Sequence, residues 1–138
     1  MARDLIQIFD KVNAKYFNDA VCAGIRWHRS IIGKGMVTLG SCTTEERLIR
    51  INAIFQDLEI PLWYLEFIIY HEMIHALQGP REDHHNQEFL ELEKLHANYD
   101  RAIEYELTTL PGILDRHRQK RKKVLDTPPE IGNTKEHE

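Results

Sequence analysis

The sequence lacks several features that mark common classes of protein. Its two cysteines, Cys22 and Cys42, have no C-x-x-C spacing, which argues against a disulfide framework and against a zinc ribbon. No stretch approaches the roughly 20 apolar residues that a transmembrane helix needs. The N-terminus has no apolar run followed by a small-residue cleavage site. We therefore expect an intracellular protein, in the cytoplasm or in the nucleoid or nucleus, with no membrane partner.

The length and the charge distribution indicate a single domain with a polar tail. With 138 residues, of which 42% are hydrophobic, the chain can bury one core. The net charge is -4, but six Lys or Arg and no acid occur between residues 116 and 123. The last residues have almost nothing to bury. We predict one domain over residues 1–125 and a disordered tail over residues 126–138.

Hydrophobic periodicity predicts an amphipathic helix followed by three strands. Apolar residues recur at helical spacing over residues 3–17, and Asn18 and Asp19 should end that helix. Three segments then read as strands because they alternate or are bounded by turn residues, at 25–31, 36–42 and 47–52. These three segments predict a small antiparallel meander.

The second half of the chain predicts three helices. Residues 62–77 are apolar on nearly every side, as in a buried helix, and Gly79-Pro80 should stop it. A long helix is predicted over about 85–106, followed by a break at residues 110–112. Residues 113–124 predict a last, basic helix.

Five residues of the buried helix, from His71 to His75, spell H-E-x-x-H. On a helix, His71 and His75 lie one above the other on one face and can bind one zinc ion. Glu72 is placed to reach a water on that metal, as a general base does in a zinc hydrolase. Zinc lowers the pKa of a bound water from about 15.7 to about 7. The motif therefore predicts metal-assisted peptide hydrolysis.

A catalytic zinc takes a third protein ligand and leaves one position open. That ligand should come from downstream of the Gly79-Pro80 break, where a following helix can fold back across the first. The candidates are the histidines and acids that follow the break: His84, His85, His96, Glu88 and Glu91. Spacing alone does not choose among them.

The chain resembles the catalytic domain of SprT-like, Spartan-type zinc metalloproteases, over roughly residues 5 to 95. Three segments in order carry the resemblance: Tyr16-Phe17-Asn18 with Gly24-Ile25-Arg26-Trp27, then Ile51-Asn52, then His71 to Ala76 with His85-x-x-x-Phe89. In that family the histidine four before the phenylalanine is the third zinc ligand, which implies His85 here. The loop between His75 and His85 is shorter than in Spartan-type members.

The resemblance implies an α+β, zincin-like minimal protease domain, with a small antiparallel sheet packed on the H-E-x-x-H helix. It also implies a metalloendopeptidase acting on DNA-bound or DNA-crosslinked proteins, and the basic 116–123 segment is the candidate DNA contact. Three alternatives stay open. They are a DNA-independent regulatory protease, a WLM or YgjP-like metallopeptidase, and a zinc-binding interaction module without turnover.

Overall fold

The computed structural model describes residues 3–29, 32–33 and 36–125, in which helices pack against a small sheet. The α-helices are α1 (Leu5–Phe17), α2 (Leu62–Gln78), α3 (Gln87–Lys94), α4 (Tyr99–Thr108) and α5 (Leu110–Leu125), and a 3-10 helix spans Ala53–Gln56. The strands are β1 (Gly24–His28), β2 (Ile32–Gly33), β3 (Met36–Val37), β4 (Gly40–Thr43) and β5 (Leu48–Asn52). The α+β class is confirmed.

Local side-chain chemistry sets both ends of α1. The Asp4 carboxylate accepts a hydrogen bond from the backbone N–H of Gln7, and Asn18 ends the helix in the left-handed conformation with a φ of 53°. Asn13 is buried and forms two side-chain hydrogen bonds with the backbone of Val21, at 2.9 and 3.1 Å. These two bonds fix the chain as it turns from α1 toward β1.

The three-stranded sheet is mixed, so the predicted antiparallel meander is wrong. Its order is β1-β5-β4, with β4 antiparallel to β5 and β1 parallel to β5. The predicted strand over 36–42 is divided between β3, which pairs with β2 in a separate two-stranded ribbon, and β4. β5 runs in the same direction as β1, as the third strand of a meander also would, but it lies between β1 and β4 instead of beyond β4.

The core lies between the sheet and the first two helices. Ile49 and Ile51 of the central strand β5 are fully buried, as the alternation of that strand predicts. Their neighbours on β4 are Cys42 and Gly40. A side chain at Gly40 would lie against α2, because a Cβ there would meet Ile68 at 3.3 Å. Strand β4 is thus the edge strand of the sheet and runs beside the H-E-x-x-H helix.

The predicted helix over 85–106 is two helices, α3 and α4. The chain leaves helical geometry between them because His96 turns into the core, where it is 5% exposed and stacks on Tyr16 at 4.8 Å between ring centroids. The Nδ1 of His96 accepts a hydrogen bond from the backbone N–H of Asn98. This contact lies directly before the first residue of α4.

The last helix begins earlier than predicted. Residues 110–112 open α5 instead of breaking the chain, and Pro111 suits the first turn of a helix because its missing N–H has no partner there. Leu110 and Ile113 anchor this end in the core. The tail predicted over 126–138 lies outside the described residues. None of the helices within the described residues combines the length and apolarity that crossing a membrane requires.

Candidate metal centre

Three polar side chains interrupt the otherwise apolar α2. Glu72 is only 6% exposed, whereas His71 and His75 are partly exposed one turn apart. A buried carboxyl group is costly unless it is paired or used. No hydrogen bond to the Glu72 side chain forms among the described residues. The helix therefore presents a buried acid between two accessible imidazoles.

A third imidazole, that of His85, completes a compact cluster with His71 and His75. The ring centroids of His71 and His75 are 5.2 Å apart, and His85 lies 5.2 and 4.9 Å from them. One nitrogen from each ring lies within 4.8 Å of the other two. The structure thus brings together the three histidines that the resemblance indicates.

His85 reaches the cluster from a loop and not from a helix. After Gln78, Gly79 adopts a φ of 76°, which glycine tolerates best. His85 itself has a φ of 58°, uncommon for a residue with a side chain. The next residue, Asn86, caps α3 and exchanges two amide hydrogen bonds with Gln78, at 3.1 and 3.2 Å. These bonds hold His85 beside the end of α2.

Phe89 forms the apolar base of the cluster. It is fully buried, and its ring centroid lies 4.8 Å from His71, 4.5 Å from His75 and 4.8 Å from His85. A rigid aromatic contact with all three imidazoles restricts their rotation. The phenylalanine four residues after His85 therefore has a structural role beyond filling the core.

The other candidate ligands lie elsewhere or point elsewhere. His84 borders the cavity, but its ring is 5.9 Å from His75 and outside the three-histidine group. His96 is a core residue stacked between tyrosines. Glu88 and Glu91 accept hydrogen bonds from glutamine side chains. Among the described candidates, only His85 meets the two histidines of the motif.

Glu93 is a member of the site that sequence reasoning did not identify. Its Oε2 lies 2.7 Å from the Nδ1 of His71, which leaves the Nε2 of that ring for a metal. The signal was present, because Glu93 follows Phe89 by four residues on α3 and so shares its face. This spacing could have indicated Glu93 as the hydrogen-bond acceptor of a metal-binding histidine.

The surroundings keep two of the three imidazoles neutral. Burial, reinforced by the other rings, lowers the pKa of His75 to about 4 and also lowers the pKa of His85. Burial opposes protonation of His71 too, but the hydrogen bond to Glu93 and the charge of Glu72 outweigh it and raise the His71 pKa. Burial raises the pKa of Glu72 to about 7.

The cluster opens into a cavity of about 370 Å³. Its lining comes from β4 and the turn after it, from α2 and from the loop before α3: Gly40, Ser41, Cys42, Thr44, His71, Glu72, His75, His84 and His85. A Cβ at Gly40 would lie 3.2 Å from Glu72 Oε2, so the missing side chain lets the strand approach the acid. Burial raises the pKa of Cys42 to about 11, which keeps it a thiol.

The fold and this cavity define a class, the small α+β domain in which a sheet edge runs beside an H-E-x-x-H helix. The same fold occurs in the crystal structure of the metallopeptidase zymogen of Methanocaldococcus jannaschii jannalysin. The TM-score is 0.54 at 18% identity, over 76% of this chain and 94% of that chain. No curated protein sequence matches the chain significantly. The chain belongs to the SprT-like family, whose family model matches residues 5–108.

Proposed function

We propose that this chain is a zinc-dependent metalloendopeptidase that cleaves proteins bound or crosslinked to DNA. The observation that supports it most strongly is the meeting of three imidazoles and a buried, unpaired carboxyl group in one cavity. In this proposal His71, His75 and His85 bind zinc, and Glu72 is the general base.

The donor set fits a catalytic zinc site. Such sites use three protein ligands, often histidines, and leave one position open. The lowered pKa values of His75 and His85 favour the neutral rings that bind metal. Glu93 holds the Nδ1 side of His71, as acceptors commonly do for histidine ligands. The open side of the cluster faces the cavity, where a peptide can enter.

The chain's own residues supply the proton transfers. Zinc, when bound, supplies a Lewis acid and acidifies the attacking water. The Glu72 carboxylate accepts the proton of that water and delivers it to the leaving amine. Burial raises the pKa of Glu72 to about 7 in the metal-free chain, and the positive charge of a metal bound at the histidines would favour the carboxylate that accepts the proton. The absence of a side chain at Gly40 lets the edge strand β4 lie close to this carboxyl group.

The DNA part of the proposal relies on the family and on the basic end of α5. In the basic 116–123 segment, Arg116 pairs with Glu59 at 2.5 Å and His117 pairs with Asp57 at 2.9 Å. These two contacts hold α5 against the rest of the domain. The later cations of the segment, from Lys120 to Lys123, are the candidates for phosphate contacts on the ground of their charge alone.

Replacing the base tests the peptidase. Purified Glu72→Gln should keep zinc, because Glu72 is not a ligand, and should lose cleavage of an unfolded protein substrate. Zinc content is measured by elemental analysis and cleavage by gel electrophoresis. A variant that cleaves as well as the wild type would refute the role of Glu72. Bound zinc with no Glu72-dependent cleavage of any substrate would instead indicate an interaction module.

DNA dependence is a separate measurement. Cleavage of a DNA-binding protein should rise when single- or double-stranded DNA is added, and DNA affinity should fall with salt. Neutralising Lys120 together with Arg121 and Lys122 should make the salt dependence shallower, by about 0.7–0.9 in slope for each phosphate that the variant no longer neutralises. Unchanged cleavage with DNA, and no salt-sensitive binding, would favour a DNA-independent protease.

A further inference from the structure

A second cavity, of about 450 Å³, adjoins the histidine cavity. The two share Gly40, His71 and Glu72, but the second cavity does not reach His75 or His85. It therefore lies on the far side of Glu72 from the loop that carries His85. A peptide bond placed for attack beside Glu72 would direct one of its flanking side chains into this space.

The walls of the second cavity combine aliphatic and polar side chains. The aliphatic ones come from β3 and the connection after it on one side and from α2 and α4 on the other: Val37, Leu39, Ile68 and Ile103. Ile103 is 37% exposed, so an aliphatic surface faces solvent at this edge. The volume falls in the range of ligand pockets, roughly 300–1,000 Å³. It can take one long side chain.

Two further carboxylates, of Glu93 and Glu106, also line this cavity, and among the residues that the structure describes no Lys or Arg does. His71 is the partner of Glu93. Glu106 accepts a hydrogen bond of 2.8 Å from the hydroxyl of Tyr64, which is fully buried. Tyr64 is a neutral donor, so this hydrogen bond fixes the position of the Glu106 carboxylate without neutralising its charge. No ion pair to Glu106 forms within the part of the chain that the structure describes.

Glu72 points to a ligand independently of these acids. It is 6% exposed, lines the cavity, and has no hydrogen-bond partner among the described residues. Its oxygens are accessible from the cavity, so a molecule that enters the cavity can contact this unpaired carboxyl group. The aliphatic side chains and the Glu106 carboxylate of the cavity then indicate which chemical group of the ligand fits beyond the reacting bond.

We propose that the second cavity is a specificity subsite for a Lys or Arg side chain next to the scissile bond, with Glu106 binding its cationic end. The inference rests on the proposed peptidase function and adds a substrate class to it, cationic polypeptides. The methylene stem of Lys or Arg lies along apolar surface while its charged end seeks an anion. Proteins that neutralise DNA phosphates carry many such side chains.

The test is a set of matched peptides cleaved by the wild type, Glu106→Gln and Glu104→Gln. The peptides differ only at the two residues that flank the scissile bond, which are Lys, Arg, norleucine or Glu. Norleucine keeps the aliphatic stem of Lys and lacks the charge. Glu104→Gln is the matched control, because Glu104 is exposed on α4 and does not line the cavity. Gln at position 106 can still accept the Tyr64 hydrogen bond, so the fold should be retained.

The wild type and Glu104→Gln should prefer Lys or Arg over norleucine roughly ten- to hundredfold in kcat/KM, as a hydrogen bond to a charged group predicts. Glu106→Gln should reduce that ratio at least tenfold, with little change for norleucine. Affinities of the same peptides for the inactive Glu72→Gln variant, measured by fluorescence anisotropy, should show the same order.

The outcomes separate this inference from the function on which it rests. Glu72-dependent cleavage without a preference for Lys or Arg would overturn the subsite and leave the peptidase standing. A preference that Glu106→Gln does not change would overturn the role of Glu106. Absence of Glu72-dependent cleavage from every peptide and protein would overturn the peptidase and the subsite together.

Discussion

Glu93 allows the sharpest test of the candidate metal centre. It is not one of the three proposed ligands, yet it hydrogen-bonds to the Nδ1 of His71 at 2.7 Å. Its side chain is 15% exposed and that of His71 is 24% exposed, so water does little to replace the contact. If His71 binds zinc, a change at Glu93 should weaken zinc binding without removing a ligand.

The size of the effect follows from what each substitution removes. Outer-shell partners of histidine ligands typically contribute about 10–100-fold to metal affinity. Glu93→Gln keeps an oxygen acceptor and removes only the charge, so we expect a loss of about tenfold, or roughly 1.4 kcal/mol. Glu93→Ala removes both and leaves His71 Nδ1 unpaired, so we expect about 100-fold, or roughly 2.7 kcal/mol.

Zinc affinity is measured by competition with a chromogenic chelator at constant pH, which avoids any dependence on turnover. Glu91→Gln is the matched control, because it lies on the same helix, is exposed and hydrogen-bonds to Gln87 instead of a histidine. Equal zinc affinity for Glu93→Ala, Glu91→Gln and the wild type would refute the argument. It would mean that the Glu93 contact does not orient a metal ligand.

Three further predictions concern the site and its support. His85→Ala should lower the affinity for zinc by more than the roughly 10–100-fold that is typical when only the partner of a ligand is changed. His84→Ala should keep the zinc affinity of the wild type. Equal zinc content of the two after dialysis would contradict that. Gly40→Val should keep zinc but lower kcat/KM on the order of 100-fold by displacing Glu72, and unchanged kinetics would refute it. Burial lowers the pKa of His96 from 6.5 to about 4, so the unfolded chain binds its proton first. With chelator present, the contribution of His96 to the free energy of unfolding should therefore be fully present above pH 6.5 and be lost by up to about 3 kcal/mol toward pH 4. The free energy of unfolding is measured by urea denaturation at each pH. An equal fall between pH 6.5 and pH 4 in the wild type and in His96→Gln would refute this prediction.

Much of the site could be predicted because its signals are local. The apolar run at 62–77 and the Gly79-Pro80 stop predicted α2 to within one residue, and the motif spacing put His71 and His75 on one face. The phenylalanine spacing of the family indicated His85, and the structure places His85 in the cluster. Each of these signals depends on a few neighbouring residues, so a single sequence carries it.

The remaining features depend on distant pairings that a single sequence does not encode. Alternation showed which residues of β1 and β5 face inward, but not that the two strands are parallel neighbours. The break at His96 required knowledge of the tyrosines on which that ring stacks. Glu106 belongs to α4, which begins after that break, and it borders the second cavity. Tertiary contacts override helical periodicity at this point.

The placement of His85 on the connection between α2 and α3 has a consequence for the stability of the folded chain. Two ligands of the proposed set belong to one helix and the third to the segment after it, so bound zinc ties two stretches of backbone together. Ligands that bind only the folded state stabilise it by mass action, by about 2.7 kcal/mol at a free concentration of 100 times Kd. Zinc supply would thus set the fraction of chains open to degradation as well as the fraction able to react.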